Sequence, residues 1–88
     1  ELAFNANGET FEVPASVTGW RVRRMKPRGA PELVYGRDGR PLIIPIESDT
    51  EDLRNAVMTV GKYRLDAVNE DGRTVEDVSA AYIQVVLR

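Results

Sequence analysis

The chain has 88 residues, enough for one small hydrophobic core, and its 42% hydrophobic and 30% charged content is ordinary for a globular domain. It contains no Cys and no His, which excludes disulfides, thiolate or imidazole catalysis, and zinc sites built on those ligands. The net charge of −2 hides an uneven layout: residues 20–40 sum to +5, residues 1–19 to −3 and residues 41–88 to −4.

The first residue is Glu1, so the chain reads as a single small domain over residues 1–88, excised from a longer protein, with a flexible segment over 1–9. Asn5 to Gly8 is turn material. Thr10 to Val13 alternates through Phe11 and Val13 and is cut off by Pro14, as a short strand would be. From Val17 a second strand carries Trp20 and Val22 on one face and Arg21 and Arg23 on the other. Arg24 then falls on the tryptophan face, which requires a bulge or a strand that outruns the core.

Lys26 to Pro31, with two prolines and a glycine, is a loop. Apolar runs over 32–37 and 40–46 flank Asp38-Gly39, the signature of a two-residue type I′ hairpin. That turn sets Arg37 against Arg40, Tyr35 against Leu42, Leu33 against Ile44 and Val34 against Ile43. Alternation then leaves residues 41, 43 and 45 with amides turned outward, so Pro41 and Pro45 cost the hairpin no donor and keep the outer edge free or partly paired. Ser48 with Glu51 forms a capping-box pattern, with acids Asp49, Glu51 and Asp52 in the first turn. A short helix of roughly three turns follows, striped by Leu53, Ala56, Val57 and Val60 and ended by Gly61. Tyr63, Leu65 and Ala67 alternate with Lys62, Arg64 and Asp66 in a strand with one wet face. A turn over 69–72 leads to a final strand, with Ala81, Ile83, Val85 and Leu87 on one side. Asp-Gly-Arg occurs at 38–40 and again at 71–73, which is read as turn chemistry.

The expected fold class is α+β, a small and mostly antiparallel sheet of about five strands with one short helix, in the order β-β-β-α-β-β. A compact β-barrel plugged by the helix is the alternative. No apolar run approaches the ~20 residues that span a bilayer and the start is unlike a signal peptide, so a cytoplasmic protein without membrane contact is expected.

Catalytic patterns are missing. Ser16, Ser48 and Ser79 lie outside any G-x-S-x-G context, and the chain has neither a Walker A sequence nor G-x-G-x-x-G. Asp49, Glu51 and Asp52 suit a helix N-terminus, and Glu70, Asp71, Glu76 and Asp77 do not match an EF-hand loop. The chain is therefore read as no enzyme, with no metal and no small-molecule cofactor.

The candidate binding residues are the cations Arg21, Arg23, Arg24, Lys26, Arg28, Arg37 and Arg40. Between Trp20 and Arg28 stand five cations and an indole. Plain readings compete: Trp20 belongs to the core side of an amphipathic strand, the arginines pair with acids of the same molecule, and ten Arg against two Lys reflects a GC-rich genome, while the small, Arg-rich, Lys-poor and β-rich character is compatible with bacterial or phage accessory proteins. The leading expectation is a noncatalytic interaction domain that docks to a protein partner or to itself through the arginine strand and its loop. The alternative is nucleic-acid binding by the same cations, with Trp20 or Tyr35 stacking on a base.

Overall fold

The computed structural model describes residues 2–4 and 10–86. The alternating runs become β1 (Leu2–Phe4), β2 (Thr10–Glu12), β3 (Gly19–Arg24), β4 (Glu32–Leu33), β5 (Ile43–Pro45), β6 (Gly61–Val68) and β7 (Ala81–Val85), with helix α1 (Thr50–Val57) between β5 and β6. Among the described residues β1 and β2 pair only with each other, Ala3 opposite Phe11, so residues 2–4 are a strand where the sequence showed no period. The turn expected at Asn5 to Gly8 lies outside the described residues. The other five strands form one antiparallel sheet in the order β4-β3-β6-β7, with β5 also on β3. This is the α+β class expected. The sheet is open, so the barrel alternative falls.

β3 and β6 keep one register from Gly19↔Val68 to Arg24↔Tyr63. No bulge interrupts it: Arg24 is exposed because the strand outruns the core. Trp20, Val22, Tyr63, Leu65, Ala67, Ile83 and Val85 are buried on the inner face, joined by Ile44 and Ile46 from the next segment. The alternation expected for 62–67 is met in full, since Tyr63, Leu65 and Ala67 are each at most 2% exposed.

The hairpin at Asp38-Gly39 forms with a different loop. Gly36 N–H donates to Arg40 O at 2.8 Å and Leu42 N–H to Val34 O at 2.7 Å, and Tyr35 stands opposite Pro41. The expected register, with Tyr35 against Leu42, is thus off by one. Gly39 has φ of +77°, while Asp38 is not among the positive-φ residues, so the type I′ turn is replaced by a three-residue loop with glycine in the left-handed region. The Asp38 carboxylate fixes it by accepting from Arg40 N–H at 3.0 Å. The second Asp-Gly-Arg repeats the design: Asn69 N–H donates to Arg73 O at 2.9 Å and Gly72 also sits at φ +77°.

Beyond Val34 and Leu42 the arms part along β3, Leu33 pairing with Arg23, Ile43 with Arg21 and Ile44 with Trp20. They part at a closed ring of backbone bonds: Val22 N–H to Leu42 O (3.1 Å), Leu42 N–H to Val34 O (2.7 Å) and Val34 N–H to Val22 O (3.2 Å). β4 and β5 are thus one edge strand interrupted by a hairpin arm that stands off Val22. Leu33 and Leu42 are half-buried and Ile44 is buried. Both prolines occupy positions whose amides would face away from the neighbouring strand, and the described residues place no strand on the outer side of β5.

The helix starts one residue later than its sequence signal. Asp49, not Ser48, is the N-cap: its carboxylate accepts from Asp52 N–H at 2.9 Å and Asp52 accepts from Asp49 N–H at 3.1 Å. The helix spans eight residues, shorter than the three turns expected, and ends at Met58 with φ 57° rather than at Gly61. Only Leu53 is fully buried and Val57 half-buried, while Ala56 and Val60 are exposed. Leu87, expected to extend β7, lies outside the described residues. None of the helices among the described residues is long and apolar enough to cross a membrane.

Candidate functional site

Register decides which cations share a surface. On the outer sheet face, away from the core, cross-strand neighbours form rows. One row runs Leu33, Arg23, Arg64, Tyr82 across β4, β3, β6 and β7. Above it stand Ile43, Arg21 and Asp66. Below it Lys62 faces Gln84, and Met25 N–H reaches Lys62 O at 2.9 Å.

The strand register places two guanidiniums directly opposite each other, Arg23 and Arg64. Like charges so placed are destabilising unless bridged. Asp66 bridges them, Oδ1 to Arg64 Nε at 3.0 Å and Oδ2 to Arg23 Nε at 3.5 Å. One carboxylate serves two cations, so positive charge is left over. Among the described residues the terminal nitrogens of both arginines make no hydrogen bond, and with Asp66, Thr74, Ala30 and Pro31 the two line a shallow hollow of about 270 Å³.

Arg21 is spent differently. Its guanidinium donates through Nη2 to Gly72 O and through Nη1 to Thr74 Oγ1 at 3.0 Å. It therefore draws the 69–73 turn across the upper row, where a Cβ on Gly72 would stand 3.9 Å from Ile43 Cδ1. Lys26 pairs with Glu32 at 2.8 Å across the mouth of the 25–31 loop. The hydrogen bond and then the charge of Lys26 hold the Glu32 carboxyl below the usual glutamate range, against a smaller opposing desolvation and with a still smaller push from Arg24.

The remaining candidates are separate. Arg24 lies on the opposite face beside Gly61, with Nε 3.8 Å from the position of a Cβ there. Arg28 is exposed in the loop, and Arg37 and Arg40 are exposed at the arm tip. Among the described residues none of these four side chains makes a hydrogen bond or ion pair. Trp20 is 1% exposed, so it stacks on no ligand, which removes one of the two aromatic platforms expected for nucleic acid. Tyr35, at 59% exposure, keeps that possibility on the arm. No group of three acids suited to a metal ion occurs among the described residues.

Comparison with protein-family models, curated proteins and solved structures found no match to this chain. Function must then be read from its own side chains. Arg64, Lys62 and Tyr82 join the site although the sequence reading did not select them. The signal was their placement on wet faces of alternating strands, but only the β3–β6 pairing brings them beside Arg23.

Proposed function

We propose that this domain is a noncatalytic docking module that holds an acidic surface of a protein partner, or of a further copy, through Arg23 and Arg64 of the outward row, Lys62 below it and the loop cations Lys26 and Arg28. The observation that carries the reading is the Arg23–Asp66–Arg64 bridge, in which one carboxylate leaves two opposed guanidiniums short of negative charge. A partner carboxylate completes what Asp66 only half supplies, and guanidinium forks suit carboxylates. Tyr82 and Leu33 end the same row, and arginine beside tyrosine is the composition of energetic centres in protein interfaces. The noncatalytic part rests on a composition without His or Cys, and the cysteine-free chain suits a cytoplasmic setting.

A glutamate-rich peptide is the probe. It should bind at low salt, and Arg23→Ala with Arg64→Ala should weaken it about tenfold, the loss of roughly two rim pairs. Absent binding, or binding indifferent to the double change, refutes the reading. A second reading is favoured by the arm, where exposed Tyr35 stands near Arg37 and Arg40. In that case a single-stranded oligonucleotide binds instead, with steep salt dependence, and Tyr35→Ala weakens it.

A further inference from the structure

The two edges of the sheet are treated in opposite ways. At the β5 edge, outward amide positions 41 and 45 are prolines, and the arm stands off the same side. Such features stop a further strand from adding. The β7 edge has none of them. Met25 N–H donates to Lys62 O, and Val75 N–H donates to Ala67 O, so even residues of β6 bond to β3 and odd ones face the β7 side. Through Tyr63↔Ile83, residues 81, 83 and 85 bond inward, which turns the amides and carbonyls of Tyr82 and Gln84 outward. Among the described residues no strand takes them. The strand Ala81–Val85 carries no Pro, Gly or charge.

The apolar surface agrees. Six large apolar side chains are markedly exposed among the described residues, and four of them, Met58, Val60, Tyr82 and Val86, lie on or beside this strand. Met58, Val60 and Val86 line a hollow of about 400 Å³ between the end of α1 and the end of β7. A bare edge next to an apolar hollow is the form of a site for an added strand.

We propose that the β7 edge is a self-association surface, on which a second copy of this chain adds its own β7 antiparallel about Ile83. That register sets Tyr82 against Gln84 of the copy, and Ala81 against Val85, so inner residues meet inner and outer meet outer. Tyr82 and Gln84 then exchange their outward bonds with Gln84 and Tyr82 of the copy. No charge opposes another, because the strand has none. The pairing is isologous and closes at two chains. Growth into a filament would need β7 to meet the β4–β5 edge, where Pro45 lacks a donor and the hairpin arm with Pro41 interrupts the strand. This surface shares Tyr82 with the end of the arginine row but uses its backbone in the plane of the sheet rather than its side chain on the outer face, and the proposal goes beyond the docking reading.

Sedimentation equilibrium over micromolar to millimolar concentrations should show a monomer–dimer equilibrium, with the amides of Tyr82 and Gln84 gaining hydrogen-exchange protection as dimer forms. Gln84→Pro removes one outward donor and no inward one, and should give a monomer with unchanged circular dichroism. Gln84→Lys charges the edge without a backbone change, and decides the matter if the proline variant fails to fold. Arg23→Ala with Arg64→Ala should leave the dimer constant unchanged, which separates this proposal from the docking reading. A dimer that survives both Gln84 variants overturns the proposal. So does a wild-type chain that stays monomeric throughout, which would leave a foreign strand as the occupant of the edge.

Discussion

Arg21→Ala separates two roles that adjacent arginines of one strand share in appearance. Arg21 spends its guanidinium on Gly72 O and Thr74 Oγ1, whereas Arg23 keeps its terminal nitrogens for the outer face. Hydrogen bonds from a charged donor contribute about 1.5–3 kcal/mol when shielded, and close to nothing when water competes fully. The Gly72 bond is partly buried and the Thr74 bond exposed. Discounting the second almost wholly leaves a loss of about 1.5 kcal/mol. A domain of this length has a total stability of roughly 4–13 kcal/mol, so the loss should lower the melting temperature by about 6–12 °C. Urea denaturation gives the energy, and hydrogen exchange shows whether amides at 72–75 lose protection ahead of the β3–β6 ladder. Peptide binding at the Arg23–Arg64 row should change less than twofold or so, since the row is intact (a few tenths of a kcal/mol). A variant with unchanged stability and unchanged protection at 72–75 would refute the assignment of Arg21 as the strut of that turn.

Gly39→Ala and Gly72→Ala should each cost about 1–2 kcal/mol, because both glycines sit at φ +77° and an added Cβ meets nothing closer than the 3.9 Å of Ile43 Cδ1 from Gly72. Matching urea midpoints for the two variants would confirm one turn design used twice, and a negligible cost at either would refute it there. Lys26→Ala should raise the Glu32 titration midpoint towards the ordinary glutamate value, as read from its carboxyl carbon by NMR. The sign follows from linkage: a carboxyl depressed in the folded state stabilises above its unfolded pKa, and that contribution disappears as pH falls through the folded value. Both side chains are open to water, so the midpoint should move clearly while stability barely changes. An unmoved midpoint contradicts the ion pair.

Much of the fold was legible because it is local. Alternation alone assigns the inner residues of β3, β6 and β7, since a period of two needs no partner to be recognised. The loop at 37–39 was not, because Asp-Gly suits both a two-residue turn with two positive φ values and a three-residue loop with one. Proline placement could not arbitrate: residues 41 and 45 face outward in either register. The helix cap slipped by one residue since Ser48-x-x-Glu51 and Asp49-x-x-Asp52 overlap, and both satisfy the spacing. The candidate face was half legible. Arg21 and Arg23 declare their side by alternating with Trp20 and Val22, but Arg64 becomes their neighbour through a pairing 41 residues apart in the chain, and Tyr82 through one 18 residues further on.

Those distant pairings also change what the charge layout means. In the chain a basic middle stands between acidic flanks, which suggests a dipole offered to other molecules. Folding sets the basic strand against β6, where Asp66 and the carbonyl of Gly72 take up part of its charge. A continuous track for a phosphate backbone is thereby broken in the sheet, since Arg21 is engaged and Asp66 interrupts the rows. Localised excess survives where register forces it, at Arg23 opposite Arg64, and where loops hold cations clear of the acids, at Arg28 and the arm tip. Such isolated positions suit a few acidic side chains at defined spacing better than a uniform polyanion, and on that ground the proposal prefers a protein surface to nucleic acid. The β7 edge, by contrast, offers backbone groups in the plane of the sheet, so a strand seated there leaves the arginine row open, and one chain has room for both contacts at once.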